Sequence, residues 1–273
     1  MGMNTLDLSD YPVAGRDYEL KLPKGRLSPS QIASYLACGL RYSLDVLDED
    51  ETESVHTWEG TQHHSVLEKS INHKLVFGEH FEFKQATDSF RQSLHDTVDT
   101  VTEWYGSSAQ TVMDRGVDFM SEFYGGDRIV DKVLGDVESA ELEVEKEYAG
   151  VIVKGVVDAV CADKIVDLKV VGKTKPDAAK ALQLSFYADM AGRSNVQFLY
   201  FRKLKTPVVQ VSDVESRPLV DTERWLTYQV AHVAAAISRG VFIPTTPDQT
   251  FKCGPKTCPH WDKCYGSSLG ATL

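Results

Sequence analysis

The sequence predicts a mixed α/β fold, with a central mixed β-sheet flanked by helices, a helical region before it and a cysteine-rich tail after it. Three observations predict this. Between Ser28 and Tyr124 apolar residues recur at helical spacing, and Gly125-Gly126 ends that texture. Near Ala140 the period drops to two, as in a half-buried strand. Beyond Val171 a helical segment is followed by two more strand patterns, an order that sets helices against a sheet. No linker divides the 273 residues. Residues 1–26 read as an extended lead-in and 27–273 as a single domain. Within it, 27–139 is mainly helical, 140–240 carries the sheet and its helices, and 241–273 is the tail.

The elements follow in order. Ser28 suits a helix N-cap, Pro29 the first helical position and Gln31 the capping-box site, with Ile32, Tyr35, Leu36 and Leu40 spaced along one helix. Residues 48–53 form an acidic loop. Thr61 can cap a second helix through His64, Leu67, Glu68 and Ile71. Helical patterns run through 86–105 and 109–124. Leu142, Val144 and Lys146 then alternate with Glu, Ala149-Gly150 makes a hairpin turn, and Val151 to Cys161 is the second strand. A turn at Ala162-Asp163-Lys164 leads to a third strand, Ile165 to Val171. Lys175 to Gly192 is helical, Val196–Phe201 and Val208–Val214 are strands, and Leu219 to Arg239 is a helix stopped by Gly240. The tail, with Pro244, Pro247, Pro255 and Pro259, has too little apolar sequence to hold itself.

Composition is that of a globular protein: 42% hydrophobic and 25% charged residues. No apolar run approaches the roughly 18 residues of a membrane span. The N-terminus has no basic-then-apolar signal pattern, and after Met1-Gly2 the myristoylation pattern fails at Leu6. A cytoplasmic setting is expected, in which five cysteines point to a metal site or free thiols before disulfides. The net charge of −11 is unevenly placed. Residues 85–147 hold fifteen acidic against five basic residues, whereas residues 164–205 hold nine basic against three acidic. The second stretch is a candidate nucleic-acid surface, since phosphate binding depends on the local field.

The chemistry concentrates between Gly60 and Lys169. Side chains two apart on a strand share a face, so Asp167 and Lys169 point together and Leu168 points to the other layer. Pairing across the Ala162-Asp163 turn brings Asp158 alongside Asp167, and Gly155 removes a side chain nearby. Carboxylates this close repel unless a cation lies between them, and oxygen ligands with waters suit Mg²⁺ or Mn²⁺. His64 adds a nitrogen ligand. Glu68, one turn later, is a candidate to support it or to ligate, while His63 points about 100° away. Lys169 beside a cation either deprotonates the attacking water or stabilises the phosphate transition state, and the sequence leaves both open. Gln183 and Tyr187 share a helix face after this strand and are candidates to position nucleic acid.

Three cysteines fall within twelve residues, Cys253, Cys258 and Cys264, and Cys38 can supply a fourth thiolate from far upstream. Four thiolates hold an iron–sulfur cluster or a Zn²⁺, and either would tie the first helix to the tail. Cys161 reads as an ordinary buried thiol.

These residues resemble a family. Leu27-Ser28-Pro29-Ser30 to Cys38, Gly60-Thr61 to His64, Gly155 to Asp158, Asp167-Leu168-Lys169 and Gln183 to Tyr187 are similar, in order, to the motifs of RecB-type nucleases of the PD-(D/E)XK superfamily. The similar branch carries a 4Fe-4S cluster and includes the AddB nuclease domain and the nucleases of CRISPR adaptation. The resemblance implies a restriction-endonuclease-like core. It implies metal bound by His64, Asp158, Asp167 and the Leu168 carbonyl, catalysis by Lys169, and a cluster on Cys38, Cys253, Cys258 and Cys264, with Zn²⁺ as the alternative occupant. The implied activity is metal-dependent DNA exonuclease action on single strands or ends, in recombination, repair or replication. The implied setting is a free-standing nuclease or a subunit beside a helicase or recombination partner, in the cytoplasm, which for a phage-encoded protein is that of the host. The alternative is a weak or inactive cluster-stabilised DNA-binding subunit of a larger nuclease or adaptation complex. No Gly-x-x-x-x-Gly-Lys-Ser/Thr nucleotide motif is present.

Overall fold

The structure is a computed structural model that describes residues 22, 25–47, 53–172, 178–245, 253–255 and 257–264. Most of the lead-in, most of the acidic loop, Lys173 and Lys175, and parts of the tail lie outside the described residues.

The first helix opens as its residues require. Ser28 Oγ accepts from Gln31 N at 3.2 Å and Gln31 Oε1 accepts from Ser28 N at 2.9 Å, with Pro29 in the first turn. The expected single helix through Leu40 is instead two, α1 (Pro29–Ala37) and α2 (Gly39–Leu47), broken at an extended Cys38. The break lets the tail in: Gly39 N donates to Ile243 O at 2.9 Å, and a Cβ on Gly39 would stand 2.9 Å from Ile243 N.

Helix α3 (Val55–Phe77) starts a full turn and a half before Thr61. Its cap is Ser54, whose hydroxyl accepts from Thr57 N at 3.2 Å, while mid-helical Thr61 donates to Thr57 O. Thr61 matched a cap by residue type alone, and Ser54 offers the same chemistry earlier. Helix α4 (Phe83–Thr97) ends in a 3-10 turn at Val98–Thr100, short of the expected 105, because a parallel bridge from Ser54 to Glu103 draws the chain into extended form. Helix α5 (Ala109–Tyr124) falls where expected; the short α6 (Ile129–Leu134) has no counterpart in the sequence reading.

Six strands form one mixed sheet: β1 (Val137–Tyr148), β2 (Val151–Cys161), β3 (Lys164–Val171), β4 (Asn195–Arg202), β5 (Val208–Val211) and β6 (Glu215–Ser216). Their order is β1-β2-β3-β4-β5, with β6 also paired to β4. Among the described strands only β3 and β4 are parallel neighbours, and helix α7 (Ala178–Ala191) lies between them in sequence. β1 starts three residues before Ala140, and Leu142, expected inside, stays 38% exposed. The Ala149-Gly150 turn is as expected, with φ of 52° and 78°. β5 stops before Val214 because Ser212 turns its own groups onto Phe198: Ser212 Oγ accepts from Phe198 N and Ser212 N donates to Phe198 O.

Helices cover both faces of the sheet. Val166 and Leu168 pack with α3, α4 and α5 through Val66, Leu67, Phe90, Phe119 and Phe123. Ile165 and Val171 pack on the opposite side with Leu184 and Ala188 of α7. Helix α8 (Leu219–Ser238) joins α1 and α7 over Tyr148, Val151 and Val153. The alternation expected around Leu168 is therefore observed. Among the described residues no helix is long and apolar enough to cross a membrane.

Candidate active site

The two-residue Ala149-Gly150 turn fixes the β1–β2 register. Ala140 pairs with Ala159 and Leu142 with Val157, so Glu141 falls opposite Asp158. Glu141 has a left-handed backbone (φ 45°), which interrupts the regular ladder at that point. On the other edge of β2 the ladder with β3 holds at Ala159–Val166 and Val160–Ile165 and goes no further. Continued by one step it would set Asp158 against Asp167, as the sequence suggests. Instead the Asp158 side chain takes the place of a strand: its Oδ2 accepts from Leu168 N at 2.7 Å. In an extended strand a residue's N–H and C=O point to the same edge. The Leu168 carbonyl therefore shares the edge where β2 has been replaced by a carboxylate.

Helix α3 brings His64 to this edge. Its Nδ1 lies 3.3 Å from Asp158 Oδ1 and 3.8 Å from Glu141 Oε1. One ligand atom from each of His64, Glu141 and Asp158 lies within 4.8 Å of the other two. Beneath them Asp167 is buried, and Lys169 Nζ stands 2.9 Å from its Oδ1 and 2.8 Å from its Oδ2. Only the Oδ1 contact has hydrogen-bond geometry, which leaves Oδ2 buried without a hydrogen bond. The cleft above is about 440 Å³, lined by His56, Thr57, Gly60, Thr61 and His64 of α3 with Glu141, Leu168, Lys169 and Val170.

The charges show what the site lacks. Burial opposes a charge on His64, but hydrogen bonds with Asp158 and Glu141 outweigh it and push the imidazole up to about 10. Burial also works against an ionised Asp158, yet His64, Lys169 and the Leu168 N–H hold its carboxyl below the usual range. Asp167 is pushed up, chiefly by burial, against the pull of Lys169. Lys169 is held as an ammonium despite burial, by Asp167 and then Asp158. A protonated histidine thus stands as the cation between Glu141 and Asp158, and the Lys169 ammonium as the partner of Asp167. The donor set fits a divalent ion: carboxylates from two strands, an imidazole, a strand-edge carbonyl and an orphaned carboxylate oxygen are what Mg²⁺ or Mn²⁺ coordinates.

Other expected residues fall out unevenly. Gln183 Nε2 donates to Tyr187 OH at 2.9 Å, and both sit beside the site. The Tyr187 ring is buried against Gly155, where an added Cβ would meet it at 2.6 Å, so it has no face to stack on nucleic acid. Glu68 is half-buried and makes no hydrogen bond or ion pair with His64 among the described residues; Glu141 occupies that role in space. His63 turns into the core, stacked on Phe90 at 4.7 Å with neither ring nitrogen hydrogen-bonded. Of the nine basic residues in that stretch, Lys169 pairs with buried Asp167, Lys203 with buried Glu59 and Arg193 with exposed Glu138, while Lys173 and Lys175 lie outside the described residues.

Glu141 is the residue that sequence reasoning missed. It is one of four glutamates at alternate positions from 141 to 147, and nothing in its type singles it out. Counting back from the Ala149-Gly150 turn would have set it opposite Asp158.

At the other end of the chain, Thr245 joins two of the four cysteines. Thr245 N donates to Cys38 Sγ at 3.5 Å, and Cys253 Sγ donates to Thr245 O at 3.6 Å. Tyr35 OH donates to Val241 O, and His260 Nε2 meets Asp45 Oδ1 at 2.6 Å. Cys38, Cys253, Cys258 and Cys264 are all half-buried, while Cys161 is buried, its thiol pushed up to about 12 mainly by burial.

The sequence profile of the PD-(D/E)XK nuclease superfamily matches residues 26–265. The chain belongs to this superfamily. Its mixed sheet with helices on both faces is the restriction-endonuclease-like core of PD-(D/E)XK nucleases, and nucleases of this superfamily act on DNA with divalent metals. Among solved structures, a "Putative exonuclease" from Eubacterium rectale matches with a TM-score of 0.57 at 13% identity, over 100% of both chains. At that identity the likeness is one of fold. The SSO0001 protein matches with a TM-score of 0.33 at 14% identity, over 85% of this chain and 93% of that one. No curated protein matches the chain.

Proposed function

We propose that this nuclease is a Mg²⁺- or Mn²⁺-dependent deoxyribonuclease that degrades DNA from single strands or ends. The observation that carries the metal site is the convergence of His64, Glu141 and Asp158 within 4.8 Å, beside a buried Asp167 that keeps one oxygen without a hydrogen bond. His64, Asp158, Asp167 and the Leu168 carbonyl hold the ion, with Glu141 as an additional ligand. When bound, the ion acidifies a water and polarises the phosphodiester. Asp158 has a second task, since its Oδ2 pins Leu168 N–H and so aims the Leu168 carbonyl into the cleft. Lys169, already held as an ammonium by Asp167, places positive charge where the phosphate gains negative charge. Gln183 holds the Tyr187 hydroxyl, and Tyr187 lies near Asp167, Lys169 and Asp158 at the back of the site.

Exonuclease action rests on the family resemblance and on the Eubacterium rectale protein's description. The test is end-labelled single- and double-stranded DNA incubated with Mg²⁺ or Mn²⁺. Stepwise loss of label from single-stranded ends is expected. An Asp167→Ala protein that still degrades DNA with Mn²⁺ refutes the assignment.

The four cysteines, in this reading, hold a 4Fe-4S cluster that fastens α1 and α2 to the tail. The two Thr245 contacts already bring Cys38 and Cys253 to one backbone segment. Anaerobically purified protein should be brown, with iron and sulfide in equal amounts. Colourless protein containing stoichiometric zinc would replace the cluster with Zn²⁺. The superfamily profile spans 26–265, which supports treating the nuclease core and its cysteine tail as one domain. A cytoplasmic role in recombination, repair or replication, beside a helicase or recombination partner, completes the proposal.

A further inference from the structure

One wall of the cleft has features that metal binding leaves unused. On α3, His56, Gly60 and His64 stand four residues apart and line the same cleft. By helical rise His56 lies about 12 Å from His64 along the axis, a few nucleotides of a strand stacked at about 3.4 Å. Between them Gly60 sits mid-helix although a Cβ there would meet nothing within 4 Å. Packing does not require this glycine, and its effect is to keep the cleft floor clear.

At the far end the His56 ring lies against Tyr105, with centroids 5.7 Å apart and planes within 8° of parallel. Tyr105 is 66% exposed, a large aromatic presented to solvent. Its backbone is left-handed (φ 46°), which bulky residues rarely adopt. The segment is nonetheless anchored: Val55 N donates to Glu103 O at 2.8 Å, and the neighbouring Trp104 packs edge-on to Trp58. His56 is disfavoured from charging, first by burial and then by Lys203, so it offers a flat neutral ring. Behind it the buried Glu59 carboxylate serves two cations, Arg115 at 2.6 Å and Lys203 at 3.2 Å, and Lys203 Nζ reaches to 3.4 Å from His56 Nδ1. Counting the Glu103 carboxylate that accepts from the Tyr105 hydroxyl, two cations meet two carboxylates here, so what distinguishes this wall is its exposed aromatic pair.

We propose that His56 and Tyr105 form a base-stacking platform that receives single-stranded DNA and leads it along Gly60 to the metal site. Aromatic faces are a general means of holding unpaired strands, since every base has a π-face and duplex bases are already stacked. The proposal rests on the nuclease reading for its direction, toward His64. Its recognition chemistry is independent of turnover.

The test measures binding in EDTA, where no cleavage occurs. A single-stranded oligodeoxynucleotide carrying 2-aminopurine, and the same strand in a duplex, are titrated with wild type, Tyr105→Ala and Tyr105→Phe. Wild type should quench the 2-aminopurine of the single strand. Tyr105→Ala should bind the single strand about tenfold more weakly and lose the quenching, with duplex binding unchanged, whereas Tyr105→Phe should match wild type. Unchanged single-strand binding by Tyr105→Ala overturns the platform. Equal loss by Tyr105→Phe also overturns it, because the hydroxyl contact with Glu103 would then be the cause. A protein that binds and quenches but never cleaves refutes the nuclease assignment alone. One that cleaves with Tyr105→Ala binding unaltered refutes the platform alone.

Discussion

Replacing Asp158 by Asn and by Ala separates the two tasks assigned to this carboxylate. Asp158 is 8% exposed, and its Oδ2 is the partner of Leu168 N at 2.7 Å. Asn keeps an oxygen that can accept from that N–H but gives up the charge that attracts His64 and a metal. Ala gives up both and leaves a buried N–H unsatisfied, which costs about 1–3 kcal/mol. For a chain of this size each kcal/mol moves Tm by about 2–4 °C. Asp158→Ala should therefore melt about 4–8 °C below wild type for a mid-range loss of about 2 kcal/mol. Asp158→Asn should melt between wild type and the Ala variant, because it keeps the hydrogen bond to Leu168 N but loses the attraction of His64 and Lys169. Both should lose nuclease activity, and neither should show the Mn²⁺-induced rise in Tm expected of wild type. Thermal melts with and without Mn²⁺ and a single-strand degradation assay give the comparison. An active Asp158→Asn protein refutes the ligand assignment. An Asp158→Asn protein as unstable as the Ala variant refutes the strand-replacing role.

The neighbouring histidines should respond in opposite ways. His63→Phe should be neutral or stabilising, since His63 buries two unpaired ring nitrogens among Phe90, Phe119 and Phe201, whereas His64→Phe should abolish Mn²⁺ binding in calorimetry. Because burial holds His63 neutral, wild type should lose stability as pH falls below the unfolded value of about 6.5, and the His63→Phe variant should lose less, as read by urea melts between pH 5 and 7. His64 must shed a proton to bind metal, so Mn²⁺ affinity should rise about tenfold per pH unit from 7 toward 10, with about one proton released, measured in buffers of differing ionisation enthalpy. Glu59→Ala leaves Arg115 and Lys203 facing each other without a carboxylate and should cost about 3–5 kcal/mol, seen as a large fall in the urea midpoint; a Glu59→Ala/Arg115→Met pair should recover part of it.

Legibility in the sequence followed the range of the interactions. The Ser28 capping box, the Ala149-Gly150 turn and the alternation of Asp167, Leu168 and Lys169 are settled within a few residues, and each appears as read. The errors lie where a distant segment competes. Cys38 ends α1 because the tail at Ile243 claims Gly39, and the helix expected to reach 105 stops because Glu103 bridges to Ser54. Tyr187 looked able to stack on nucleic acid, but Gly155, 32 positions earlier, gives its ring a buried seat.

By itself, then, the sequence determined the α/β order of elements, the chemical types in the site and the strand phase that turns Asp167 and Lys169 together. Those are consequences of backbone periodicity and local hydrogen bonding. Tertiary structure alone decided that β2 and β3 part after Ala159–Val166 and that Asp158 fills the vacated hydrogen bond at Leu168. It also laid His56 against Tyr105. These outcomes depend on which buried groups find partners once the layers close, and no local pattern encodes that.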